Sequence, residues 1–361
     1  MRRPRRRAAS LLAVTAVMAT LTAAPAHATG PAPYRLVWDD FAHGFDAEGP
    51  GARWSYLALG SFVGDDGVVS TSPRGGLRVV AGGVNPTTGE PAFTGTVPQD
   101  DPAGALDHVK WLAYANHTAS TGYQGFDAVP GQELACETWM SGRTHGTAAH
   151  PFGDAVTNPR DDLRLASVGM PVQDVETDVV FDFFLSDERV YAFYERLPHL
   201  RGSLGDYAAF LHVVPVARRS PTDRHHFKIA YDRAAGVARW VLDGREVFRV
   251  DRIGHRLPDR AHLVLDHGGV EETVRPRQLS CGMGMFTILD AAAPGSGSGD
   301  GLVRLTTAPD HYFDPVLGAP TPQVFRDEAS LPGSRLFGQG AEMGVRRYVV
   351  SSLPVRDRDA S

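Results

Sequence analysis

The sequence predicts an all-β protein, a sandwich or a barrel, and three observations lead there. Short runs of β-branched and aromatic residues recur along the chain, separated by Gly, Pro, Asn and Asp. No window sustains the apolar period of a long helix. The clearest alternation, Asp174 to Phe184, has a period of two, as a half-buried strand requires. Many short strands divided by turn residues pack as sandwiches or barrels.

The first 28 residues stand outside this pattern. Arg2, Arg3, Arg5, Arg6 and Arg7 form a basic start, Leu11 to Ala24 an apolar stretch, and Ala26-His27-Ala28 a small-residue cleavage signal. This is the layout of a signal peptide, so export is expected, with a mature chain starting near Thr29. The apolar stretch is too short for a membrane span. Removing five arginines takes the formal charge of −6 to about −11. An acidic chain without a basic stripe argues against nucleic acid and anionic membranes as partners.

The expected strands follow in order. Tyr34–Phe41, Trp54–Phe62, Gly76–Ala81 and Val109–Ala115 are apolar or alternating runs, as are Glu133–Met140 and Leu163–Val168. Val175–Phe184, Val190–Tyr194 and Tyr207–Val216 come next. Phe227–Tyr231, Val237–Leu242 and Val247–Val250 follow, with Asp243-Gly244 as a hairpin turn signal. His262–Leu265, Met283–Leu289 and Arg347–Ser352 complete the set. Residues 291–300, AAAPGSGSGD, read as a flexible loop, and the apolar material beyond it is too sparse for a second domain. The expectation is one domain over residues 29–361. Cys136 and Cys281, the two cysteines, are expected to form one structural disulfide in an oxidising compartment.

Chemistry concentrates in the acidic run. Val175, Val179, Phe181 and Phe183 share one face of the expected strand, and Asp174, Glu176, Asp178 and Asp182 share the other, interrupted by Val180. Same-face neighbours lie roughly 6.5–7 Å apart, so their charges repel and at least one pKa should rise. Gln132 to Met140 places Glu133, Glu137 and Trp139 on one face and runs into Arg143. An aromatic beside carboxylates and an arginine is what a sugar ring needs; the same Trp139 is equally a candidate for the core. Glu195 shares a strand face with Tyr191 and Phe193. Asp266-His267 reads either as an acid/base dyad or as a loop histidine satisfied by hydrogen bonds. No metal-ligand spacing stands out.

Val37-Trp38-Asp39-Asp40-Phe41, Trp54, Gly64-Asp65-Asp66-Gly67-Val68-Val69-Ser70 and Gly76-Leu77-Arg78-Val79-Val80, in that order, open the mature chain. With the acidic run and the hairpins His225–Asp232 and Val237–Val247, they resemble the concanavalin A-like lectin/glucanase superfamily, family-16 glycoside hydrolases in particular. The resemblance implies a two-sheet antiparallel jelly roll with a sugar cleft on its concave sheet. It implies Glu176 as nucleophile or base, Asp178 as its electrostatic modulator, and Asp182 or a cross-strand Glu133, Glu137 or Glu195 as the acid. The family's Glu-x-Asp-x-Glu pattern is incomplete, because Val180 stands where the last Glu belongs. Glu176 and Asp182 would lie on the order of 20 Å apart along one strand, against about 5–5.5 Å for a retaining pair.

The sequence thus points to a secreted carbohydrate-active protein, a possible glycoside hydrolase. Trp139, Glu137, Arg143 and Glu195 would hold the ligand. The rival readings are a lectin-like binder without turnover, and a cleft given over to small-molecule acid/base chemistry with histidines. No cofactor is expected beyond a structural calcium of the kind such proteins often carry.

Overall fold

Two antiparallel sheets face each other across one apolar layer. The computed structural model describes residues 31–102 and 104–355, so the signal segment 1–28 lies outside the described residues. From Pro33 onward the chain forms one compact unit. In chain order the strands of the two sheets are β1 (Tyr34–Asp39), β2 (Trp54–Tyr56), β3 (Val68–Ser72), β4 (Gly76–Ala81), β5 (Val109–Ala115) and β6 (Phe126–Asp127). Then come β7 (Gln132–His145), β8 (Ser167–Asp174), β9 (Val179–Leu185), β10 (Arg189–Arg196), β11 (Phe210–Arg218) and β12 (His225–Asp232). The last are β13 (Val237–Leu242), β14 (Arg245–Val250), β15 (Leu263–Asp266), β16 (Gln278–Phe286) and β17 (Gly340–Pro354).

Sheet one runs β14-β13-β12-β7-β17-β4-β3, with β1 beside the second half of β17. Sheet two runs β15-β11-β10-β9-β8-β16-β5-β2, with β6 against β16. The late strand expected at Arg347–Ser352 is the middle of β17, which lies in the interior of sheet one. The Asp243-Gly244 turn joins β13 to β14, with both residues in the left-handed region that a tight hairpin requires.

Alternation fills the core from both sides. Phe181 and Phe183 of β9, Tyr194 of β10 and Met283 and Met285 of β16 meet Ile229 of β12, Trp240 of β13 and Val345 and Tyr348 of β17. Two buried polar groups bridge the layer: Trp240 Nε1 donates to the Asp182 carbonyl at 2.7 Å, and the Tyr348 hydroxyl to the Gly282 carbonyl at 3.0 Å. Each satisfies a group whose burial would otherwise cost free energy. Cys136 on β7 and Cys281 on β16 form a disulfide across the same layer, with Cα atoms 5.7 Å apart. The bond spans 145 residues, a closure that stabilises by roughly 5 kcal/mol in the chain-entropy model.

Two expected strands are corrected. Trp54–Phe62 ends in the main sheet at Tyr56, and Ala58–Leu59 turns back on Phe62–Val63 as a separate small hairpin. Val175–Phe184 is not a single strand: β8 ends at Asp174, Val175–Asp178 make a turn, and β9 starts at Val179. The Asp174 carboxylate accepts the Glu176 amide at 3.2 Å and the Thr177 hydroxyl at 2.6 Å, and Asp178 takes a positive φ of 57°. An Asp bonding the backbone two residues on is turn chemistry, and it overrides the alternation. The run Leu163–Val168 likewise shifts, since its strand begins at Ser167.

The outer face of sheet two is not open to solvent. Leu112, Phe184, Tyr191, Phe193, Leu211 and Phe286 point outward and are covered by Ile288, Tyr312 and Phe325 from the chain between β16 and β17. The Gly/Ser-rich loop at 291–300 belongs to this covering segment, which encloses the candidate site.

Candidate active site

Glu195 is the last outward-facing residue of β10, between Val180 of β9 and Leu211 of β11. It lines a cavity of about 210 Å³ between sheet two and its cover. The chain leaving β10 supplies Leu197, Pro198 and His199, while His108 precedes β5 and His267 follows β15. Asp290, His311 and Tyr312 come from the covering segment. The apolar walls are Leu197, Pro198, Leu265 and Leu305.

The polar groups are held in defined roles. His108 Nε2 lies 2.7 Å from Asp290 Oδ1, and the Tyr312 hydroxyl donates to Asp290 Oδ2 at 2.9 Å. Burial favours the neutral form of Asp290, but His108 and Tyr312 outweigh it and hold the carboxyl below its usual range. Burial likewise opposes charge on His108, and the adjacent Asp290 overcomes it and raises the imidazole. Each of the two therefore favours the charged form of the other. His267 Nδ1 bonds the His311 carbonyl at 2.6 Å, which leaves Nε2 for the cavity. Burial and the neighbouring His311 push His267 down to about 3, so it stays neutral.

Glu195 differs from all of these. No described group donates a hydrogen bond to its carboxyl, and burial pushes it up to about 7. The His108 charge pulls it down, while Asp290 and Asp178 push it further up. A carboxyl near neutrality opposite an oriented imidazolium is a pair of titratable groups with pKa values driven apart. That is the arrangement from which acid and base roles follow.

The other predicted residues are dispersed. Glu176, expected as nucleophile, lies in the β8–β9 turn, bound to Arg277 at 2.9 and 2.5 Å, which holds its carboxyl below the usual range. Asp178 is buried under the Leu200 amide at 2.8 Å and the Tyr207 hydroxyl at 3.0 Å, and burial raises its pKa. Asp182 is the only acid of the row on β9, fully buried, accepting the Val172 amide at 3.0 Å. Burial and Glu195 push it well up. Asp182 and Glu195 are diagonal neighbours on β9 and β10, but Asp182 does not line the cavity. The expected row of four carboxylates on one strand does not form.

Glu137, Trp139 and Arg143 lie on the outer face of sheet one, away from Glu195. Glu137 is bound by Arg35 and His226, each at 3.2 Å, and Arg143 by Glu342 at 2.9 Å. Trp139 is not an open platform for a sugar: His226 of β12 stacks on it at 4.2 Å, and Arg347 of β17 sits 4.0 Å from its ring centre. The two partners come from the strands on either side of β7. Asp266 and His267 make no dyad, since Asp266 is held by Arg256 at 2.7 Å and Arg260 at 2.6 Å.

Sequence reasoning missed His108, Asp290, His199, His311 and Tyr312. They carry no motif: His108 and His199 flank strands of sheet two, and Asp290, His311 and Tyr312 are brought to Glu195 by the cover. A larger trough of about 1010 Å³ on the same outer side contains Asp161 and Asp162. Those two acids are bound to Tyr191, Ser186 and Arg164. Among the described residues no cluster of three His, Cys, Asp or Glu is arranged to hold a metal ion.

Residues 38–354 match the family described as "Family of unknown function (DUF6081)". The chain belongs to this family. Over 312 residues it is 29% identical to Uncharacterized protein L829 of Acanthamoeba polyphaga mimivirus, covering 71% of this chain and 66% of that one, under two thirds of its length. Among solved structures, the chain is similar to a Crh5 transglycosylase in complex with NAG (11% identity, 88% of this chain, 83% of that chain, TM-score 0.39). It is also similar to the catalytic domain of an endo-1,3-β-glucanase (laminarinase) from Thermotoga petrophila (9%, 90% and 97%, TM-score 0.39). A third is the family 7 alginate lyase A1-II′ bound to substrate (10%, 83% and 85%, TM-score 0.37). The strand order described above is that of a two-sheet antiparallel jelly-roll sandwich.

Proposed function

We propose that the protein is an acid/base enzyme that cleaves a C–O bond in an uncharged, hydroxyl-rich substrate of about one saccharide ring. The observation that carries this reading is Glu195, without a hydrogen-bond donor, near 7, in a cavity shared with the His108–Asp290 pair. At neutral pH Glu195 is half ionised and takes a proton from substrate or water. His108, kept cationic and oriented by Asp290, delivers one to the departing oxygen. Such transfers contribute about 10²–10⁴-fold each.

Cavity size and charge select the ligand. About 210 Å³ is below the roughly 300–1,000 Å³ of pockets for drug-sized molecules, which favours one ring over a polymer. No lysine or arginine lines it, and the His108 charge is already matched by Asp290. An anionic substrate would therefore lack a counter-ion. His267 Nε2, Tyr312 and His311 suit hydroxyl groups, and Leu197, Leu265 and Leu305 suit an apolar ring face.

The test is a panel of neutral oligosaccharides (from β-glucans, galactans and xylans), read for new reducing ends and for unsaturated ends. Turnover abolished by Glu195→Gln and kept by Glu176→Gln supports the reading. Turnover kept by Glu195→Gln and abolished by Glu176→Gln overturns it and restores the sequence-based assignment. Export is proposed on residues 1–28 alone: N-terminal sequencing of protein recovered outside the cell should start near Thr29.

A further inference from the structure

Sheet one carries a feature that the cavity chemistry does not use. Opposite Trp139 of β7, the register of β17 slips: Val345 pairs with Met140 and Tyr348 with Thr138, so Arg346 and Arg347 together face one residue. Two residues opposing one is a β-bulge, which re-aims side chains. Both arginines are exposed, as the outer face requires. Gly76 on the adjoining strand makes room for it: at φ +78° its absent Cβ would stand 2.7 Å from Arg346 Cα. A third arginine joins them, for Arg224 Nη1 donates to the Trp139 carbonyl at 3.2 Å and reaches toward the Gly344 carbonyl at 3.5 Å.

These three have no carboxylate partner among the described residues, although their neighbours do. Arg78 and Arg143 share Glu342 on one side, and Arg35 and His226 share Glu137 on the other. Partial burial, and after it the positive charge of Arg346, hold the Arg224 guanidinium below its usual range. The trio thus sits between matched ion pairs as a concentrated, uncompensated positive charge on an acidic chain. Guanidinium groups bind tetrahedral oxyanions through paired N–H donors.

We propose that the Arg224–Arg346–Arg347 bulge is an oxyanion-binding site that takes a sulfate or phosphate ester carried on a glycan. A nucleic acid fits less well. Its affinity comes from neutralising a row of phosphates, which three clustered arginines do not span, and the Trp139 faces on which a base would stack are covered. The site is independent of the cavity chemistry and stands whether or not Glu195 is catalytic.

Full-length protein is titrated with dextran sulfate, dextran phosphate and unmodified dextran, at low and high salt. Binding to either ester that weakens with salt and is absent for plain dextran is expected, and the tighter of the two names the ester. Arg346→Ala, whose side chain makes no contact that holds the fold, should lower affinity roughly tenfold or more. The double variant Arg346→Ala/Arg347→Ala should lower it further, and Arg245→Ala should leave it unchanged. Equal binding by plain dextran, undiminished binding by folded Arg346→Ala, or tighter binding of single-stranded DNA overturns the proposal.

Discussion

Glu137 and Glu195 are the same residue type, each pointing outward from a strand, one on each sheet. Burial opposes ionisation of both, yet one carboxyl lies below its usual range and the other at about 7. The difference is in the partners. Glu137 accepts from His226 and lies among Lys228 and Arg35, whereas Glu195 has no donor and feels Asp290 and Asp178. Sheet one's face is an ion-pair network, with Glu133 between Lys228 and Arg239 as a second example. Sheet two's face is capped, and what it encloses is short of counter-charge. A buried carboxyl becomes chemically useful at neutral pH when the fold withholds its partner as well as its water.

The sharpest break of this contrast is catalytic. Glu195→Gln should cost about 10²–10⁴-fold in turnover without unfolding the protein, while Glu137→Gln leaves turnover unaltered. Equal losses in both would abolish the distinction between the faces. Next in size, Asp290→Asn strands a buried imidazolium, so chemical denaturation should show a loss of about 3–5 kcal/mol as well as lost activity.

The third test uses pH, where the faces have opposite signs. Glu195 is raised from 4.5 to about 7 on folding, so its contribution to stability is fully present below 4.5 and is lost as pH rises through 7. By linkage this is about 3 kcal/mol, so Glu195→Gln should gain stability relative to the parent protein as pH rises between those values. Glu137 is lowered, so its contribution is present above 4.5 and is lost as pH falls. Denaturation midpoints measured at acidic, neutral and mildly alkaline pH for parent and variants decide it; matching signs would refute the contrast. The smallest effect is Glu137→Gln on stability near neutral pH. Its partner Arg35 is largely exposed, and such pairs contribute about 1 kcal/mol or less.

Much of the fold was legible and the site was mostly not. Runs such as Val109–Ala115 and Phe227–Tyr231 announce strands because their alternation is local, and Asp243-Gly244 announces its hairpin for the same reason. The Cys136–Cys281 bond was legible from an even count in an expected oxidising compartment. The acidic run misled because Asp174 holds a turn through its own side chain, a local competitor that a period of two does not register. Trp139 misled because stacking on His226 and Arg347 depends on strand neighbours distant in sequence.

The sequence by itself determined most of the strands, the all-β class and the disulfide, since each follows from composition and from contacts within or between alternating strands. Tertiary structure alone decided which acids matter. Glu195 owes its proton affinity to burial under a cover formed by residues 287–337 and to the Asp290 and Asp178 carboxylates, while His108, about 90 positions upstream, pulls it the other way. Desolvation and the identity of the nearest charge set a pKa, and both are properties of the space around a group rather than of its place along the chain.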